Sequence, residues 1–78
     1  MIVKELVEFI AMSIVEDKDA VRVTESVAED GRILISLVVA EGDKGKVIGR
    51  GGRVAEAIRT VLRIAAIRRG VRASLEIV

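Results

Sequence analysis

No histidine, cysteine, tyrosine or tryptophan occurs among the 78 residues, and Phe9 is the single aromatic. These absences remove the usual general bases, thiolate nucleophiles and nitrogen or sulfur metal ligands, which argues against an enzyme, a metal centre or any cofactor. Without cysteine no disulfide can staple the chain. A reducing compartment is the natural setting for such a composition, and the cytoplasm is expected. No apolar run is long enough to span a bilayer, and Glu5 and Glu8 stand where a secretory leader would carry basic residues. No membrane association is expected.

With one aromatic, the core has to come from Val, Ile, Leu and Ala, which raise the hydrophobic fraction to 51%. A chain of this length is read as one unit near the lower limit of what folds without staples, and association with a partner would help it. The net charge of +1 hides a strong polarity. Residues 1 to 43 carry four Lys or Arg against ten Asp or Glu, a balance of −6, whereas residues 44 to 78 carry nine against two, a balance of +7. One region of the domain is therefore acidic and the other basic, and the basic part begins beside a glycine-rich stretch.

Hydrophobic periodicity divides the chain into six elements. Ile2 to about Glu16 reads as an amphipathic helix with Ile2, Val3, Leu6, Val7, Phe9, Ile10 and Ile14 on its apolar side, which places Phe9 in the core. Ala20 to Val27 alternates as a strand with Val21, Val23 and Val27 on one face. Asp30-Gly31 signals a hairpin turn into a second strand, Ile33 to Ala40, whose two faces are both apolar and which is therefore central or covered twice. Asp43 is placed to cap a short helix over Lys44 to Ile48. The longest helix follows from Arg53 to Arg69, stopped by Gly70, and Val71 to Val78 alternates as a third strand. Helices on one face of a three-stranded sheet make this an α+β fold, whose strand order the pattern alone leaves open.

Between the two later helices lies Val47-Ile48-Gly49-Arg50-Gly51-Gly52-Arg53. Glycines at both ends of the turn permit positive φ and a close approach of main-chain N–H groups to a ligand. The following helix N-terminus favours an anion, and Arg50 and Arg53 add positive charge. A phosphate suits this arrangement; the alternative is a plain connector. Two nucleotide motifs fail here. Gly45-Lys46 lacks the outer glycine and the hydroxyl of a P-loop, since Ala40 and Val47 stand at those positions, and Gly49-x-Gly51 has Val54 where a dinucleotide fingerprint needs its third glycine.

The stretch Gly45-Lys46-Val47-Ile48-Gly49-Arg50-Gly51-Gly52-Arg53 resembles the signature of KH domains, in which an aliphatic-Ile-Gly-x-x-Gly loop joins two helices and clamps about four nucleotides. Together with Leu6 to Ile10, Ala57 to Thr60 and Leu75 to Val78, it is similar to the small stand-alone bacterial KH proteins of the KhpA type over nearly the whole chain. Gly51 departs from that pattern, which more often has a larger polar residue there. The resemblance implies a single KH domain over residues 1–78, of the prokaryotic (type II) order αββααβ with a mixed sheet. It further implies single-stranded RNA as ligand, a role as RNA chaperone or post-transcriptional regulator, a homodimer, and pairing with a larger RNA-binding protein that carries a KH domain. On this reading Lys44, Lys46, Arg50 and Arg53 hold phosphates, Gly49, Gly51 and Gly52 shape the loop, and Val47 and Ile48 wall an apolar groove for bases.

A second surface is expected on the long helix. Its apolar residues span an arc of about 200°, wider than one sheet face needs. Val54, Ile58, Val61 and Ala65 mark the centre of the arc and the expected core, while Ala55, Leu62 and Ala66 line a flank open either to the first helix or to a second chain. The competing reading of the whole protein follows from that flank: an interaction module that dimerises through its long helix, with the glycine loop only a connector.

Overall fold

The computed structural model describes residues 3–78, so the expected helix start at Ile2 lies outside the described residues. In chain order the elements are α1 (Val3–Ile14), β1 (Arg22–Val27), β2 (Ile33–Val38), α2 (Lys44–Ile48), α3 (Arg53–Arg68) and β3 (Ala73–Ile77). Single 3-10 turns occupy Lys18–Ala20, Glu41–Asp43 and Arg50–Gly52. The order αββααβ is the one expected, although α1 ends two residues earlier than periodicity predicts and the strands are shorter. Among the described residues no helix is long and apolar enough to cross a membrane.

The sheet order is β1-β2-β3, with β1 antiparallel and β3 parallel to the central β2. On the face of β2 away from the helices, the central place half-buries Leu34 between its neighbours, while Val38 stays exposed. A tight turn closes the β1–β2 hairpin. In it the Arg32 N–H donates to Asp30 Oδ1 at 3.0 Å and Gly31 takes φ 90°, a left-handed value suited to glycine. The parallel β2–β3 pair needs a crossover, and α2, the glycine loop and α3 supply it. Packed with α1 on the same sheet face, these helices cover Val23, Ile35, Leu37 and Leu75. On the opposite face the register sets Thr24 beside Ser36, and Leu34 between Ser26 and Ser74.

Helix α3 ends as its sequence requires. The Gly70 N–H donates to the Ile67 carbonyl at 2.9 Å, and the Val71 N–H to the Ala66 carbonyl at 3.0 Å. This is a Schellman motif with Gly70 at φ 75°, and it turns the chain directly into β3.

Three burial assignments differ from the periodicity. Phe9 is 67% exposed, because α1 packs through Val3, Val7 and Ala11, and residue 9 lies about 200° around the helix from Val7. Val27 is exposed at the end of β1, where the hairpin runs past the helices, and only Val21 and Val23 of the expected face are buried. On α3 the buried line is Ala55, Ile58, Leu62 and Ala66, with Leu62 at 1% exposure, whereas Val61 is 44% exposed. Leu62 is thus core and not an open flank. The cause is α1, which lies against α3 and closes that side within one chain. The surplus apolar surface is real but sits elsewhere, on Ala57, Val61 and Ile64.

Candidate nucleic-acid interface

The loop is built by backbone geometry that only glycine supplies. Gly49 takes φ 76° and ψ 169°, a region essentially closed to residues with a Cβ. Gly51 and Gly52 follow in the left-handed helical region at φ 64° and 77°. The Gly49 N–H donates to the Gly45 carbonyl at 2.8 Å and the Gly52 N–H to the Gly49 carbonyl at 3.1 Å, which fastens both ends of the turn. Among the described hydrogen bonds the N–H groups of Arg50 and Gly51 have no acceptor. They stand one turn before α3, where the helix dipole favours negative charge.

The glycines are not equivalent. A Cβ at Gly49 would run into Val54 Cγ2 and lie 2.8 Å from the Val54 N and Cβ atoms, whereas one at Gly51 or Gly52 would meet nothing within 4 Å. Gly49→Ala is therefore expected to cost about 2–5 kcal/mol, combining backbone strain with overpacking. Gly52→Ala should cost only ~1 kcal/mol for its left-handed conformation. Chemical denaturation of the two variants checks this. Equal costs would mean that the close approach of Gly49 to Val54 does not constrain the loop.

The expected site residues divide into two groups. Arg50 and Arg53 are exposed at the turn and have no carboxylate partner among the described residues, and Ile48 is exposed beside them. Val47, in contrast, is fully buried and forms part of the core under the loop, out of reach of any base. Lys44 pairs with Glu41 at 3.6 Å on the surface, an ion pair of little energetic weight. Lys46 is engaged twice, by the Glu16 carboxylate and by Asp43 Oδ1 at 3.8 Å. The Glu16 hydrogen bond holds the Lys46 ammonium above its ordinary pKa.

Asp43 has a role that periodicity does not predict. It makes no capping hydrogen bond to α2. Its carboxylate instead accepts the backbone N–H groups of Glu16 at 3.2 Å and Asp17 at 3.1 Å, and the residue is 4% exposed. The end of α1 is thereby tied to the start of α2, and Lys46 closes the same cluster. The tie joins the packing of Val47 in holding α2, and no signal local in sequence could reveal it, since the partners stand 26 and 27 residues apart.

The Asp17 and Glu16 N–H groups, aided by Lys46, hold the Asp43 carboxyl below its ordinary pKa of 3.8. The unfolded chain takes up the proton first on acidification. The stabilisation is therefore complete above 3.8 and is lost as pH falls from there through the lower value of the folded state. Urea unfolding of wild type and Asp43→Asn across this range should show a constant stability difference near neutrality that shrinks below pH 3.8. A difference that persists undiminished in strong acid would rule out preferential binding of the ionised form.

Comparison with known proteins places this geometry. The family profile described as KhpA/KhpB, KH domain matches residues 4–77. The chain is 47% identical over 75 residues to "RNA-binding protein KhpA" of Clostridium perfringens, covering 96% of this chain and 99% of that one. Its identity to "RNA-binding protein KhpA" of Aquifex aeolicus is 45% over 74 residues, covering 95% and 92%. Among solved structures, Era in complex with MgGDPNP and nucleotides 1506–1542 of 16S ribosomal RNA aligns with a TM-score of 0.68 at 21% identity. That alignment covers 96% of this chain but 28% of the Era chain, and it speaks to the fold alone. With its mixed sheet, its αββααβ order and the glycine loop between α2 and α3, the chain belongs to the KhpA/KhpB KH-domain family.

Proposed function

We propose that this protein is a non-catalytic binder of single-stranded RNA that seats the strand's phosphates on the loop Gly49–Gly52. The observation that carries the reading is the pair of N–H groups at Arg50 and Gly51 without an acceptor among the described residues, in the turn just before α3 and beside two arginines without carboxylate partners. The name shared by the relatives, RNA-binding protein, supports the same ligand. Arg50 and Arg53 supply the charge, Gly49 and Gly52 the turn, and Ile48 an apolar surface for a base. Lys44 and Lys46 have a lesser part, since acidic partners already hold them, and Lys46 acts by positioning α2. A small cytoplasmic RNA chaperone or post-transcriptional regulator fits such a binder.

Self-association accompanies this reading. Ala57, Val61 and Ile64 form an exposed apolar face on α3, turned away from the sheet, and a second copy or a larger KH-containing partner would cover it. Dimerisation gives one strand two clamps, which raises affinity through effective concentration.

Selectivity follows from what the groove lacks. No tyrosine, tryptophan or histidine exists to stack bases, and the exposed Phe9 lies on α1, so the usual ~1–3 kcal/mol per stacked base is missing. Binding is expected to be micromolar or weaker per site, to prefer unpaired RNA over duplex, and to vary little between sequences. Titration of short homopolymers and a hairpin over a range of salt checks it. The affinity must fall with salt according to the number of phosphates neutralised. Tight duplex binding, or affinity indifferent to salt, would refute the clamp.

A further inference from the structure

Positive charge gathers a second time at the far end of α3 from the loop. Arg32, Arg63 and Arg72 come from three separate segments: the turn before β2, the third turn of α3 and the connection into β3. They line one open cavity of about 360 Å³ together with Ile67, Val71 and Ser74. An adjoining cavity of about 560 Å³ shares Arg32, Ile67, Val71 and Arg72. None of the three arginines has a carboxylate partner among the described residues. Asp30 at the rim spends its Oδ1 on the Arg32 backbone N–H.

This cluster carries an electrostatic cost. The Ile33 N–H donates to the Arg72 carbonyl at 2.8 Å, and Ile33 and Ala73 are register partners, so Arg32 and Arg72 are lateral neighbours on parallel chains. Like charges placed side by side repel, and a bound anion would offset the repulsion. Guanidinium groups suit a phosphate, whose oxygens their paired N–H donors match.

We infer that this cavity is a second phosphate site, one that takes a phosphodiester of the same RNA strand beyond the part held by the loop. The inference rests on the proposed RNA binding. What favours RNA over an acidic protein is continuity. Arg53, Glu56, Thr60, Arg63 and Ile67 follow one another at helical spacing on an exposed ridge that leads from the loop to the cavity, ~21 Å along the axis, and the one acid on it, Glu56, is paired with Arg59 at 3.8 Å. A clamp of this fold engages about four nucleotides, so a longer strand laid on that ridge carries phosphates into the arginine cluster.

The experiment compares wild type with the triple variant Arg32→Ala, Arg63→Ala, Arg72→Ala on labelled oligouridylates about four and sixteen nucleotides long. Both are titrated over a range of salt, with a polyglutamate arm. All three side chains are exposed, so the variant should unfold at or above the wild-type temperature. Its affinity for the long strand is expected to fall at least about tenfold, its salt slope to drop by about two, and its affinity for the short strand to stay within about twofold. Unchanged binding of the long strand overturns the inference, as does an equal loss on the short one, which would make the arginines part of the clamp. Loss of polyglutamate binding with RNA affinity intact would assign the cavity to an acidic protein instead. A wild type that binds neither RNA refutes the proposed function itself, and this inference with it.

Discussion

Arg50→Asp combined with Gly51→Asp is expected to abolish RNA binding while the fold survives. The pair changes the charge of the loop tip by −3 at the place where the proposed clamp needs a phosphate. Two carboxylates would also compete for the N–H groups of Arg50 and Gly51. The structural cost is small. Both positions are exposed, a Cβ at Gly51 meets nothing within 4 Å, and aspartate tolerates the left-handed conformation found there at φ 64° and ψ 18°. A loss of ~1–2 kcal/mol is expected from that conformation, within what a domain of this length can absorb. Thermal unfolding beside RNA titration reads both effects. Retained binding would remove the clamp from consideration, and joint loss of binding and fold would make the loop a structural connector.

Leu62→Asp should unfold the protein, and Ile64→Asp should not. The two residues are neighbours in sequence and similar in hydrophobicity, but Leu62 is 1% exposed and Ile64 53%. Replacing Leu62 removes a side chain packed between α1 and the sheet, a loss of ~2–5 kcal/mol, and forces a carboxylate to charge in an apolar site or stay protonated. A chain this short has a total stability on the order of 4–12 kcal/mol. The Leu62 variant should therefore show no cooperative transition at ordinary temperature. Ile64→Asp leaves the core intact and places a charge in the middle of the exposed face of α3, so it should convert a dimer to a monomer in sedimentation. A wild type that is already monomeric at high concentration would deprive that face of its proposed partner, and a stable Leu62 variant would contradict the burial of Leu62 against α1.

Charge polarity, element order and the glycine loop were all legible in the amino-acid order because each is a local property. A short, nearly unbroken apolar run over Ile33 to Val39, interrupted at Ser36, marks a strand with two apolar faces, Asp30-Gly31 marks a hairpin, and Gly49-x-x-Gly52 before a helical run marks a loop at a helix start. Positive φ at Gly49 and Gly52 could be expected for the same reason.

Which side of each helix faces inward was decided by tertiary structure. Helix α3 is apolar around more than half its circumference, and periodicity ranks Val61, at the centre of that arc, above Leu62 on its flank; α1, lying against the flank, reverses the order. Phe9 shows the same ambiguity on α1: a hydrophobic stripe says that a side is buried, and only the partner element says which. The tie of Asp43 to Glu16 and Asp17, and the engagement of Lys46 by Glu16, join residues 26 to 30 positions apart. The fold brings them together by stacking the start of α2 on the end of α1, and in doing so it turns a nominal helix cap into a brace and a nominal phosphate ligand into a fastener. Arg32, Arg63 and Arg72 likewise look like scattered surface charges until the parallel pairing of β2 with β3 sets two of them side by side and α3 brings the third.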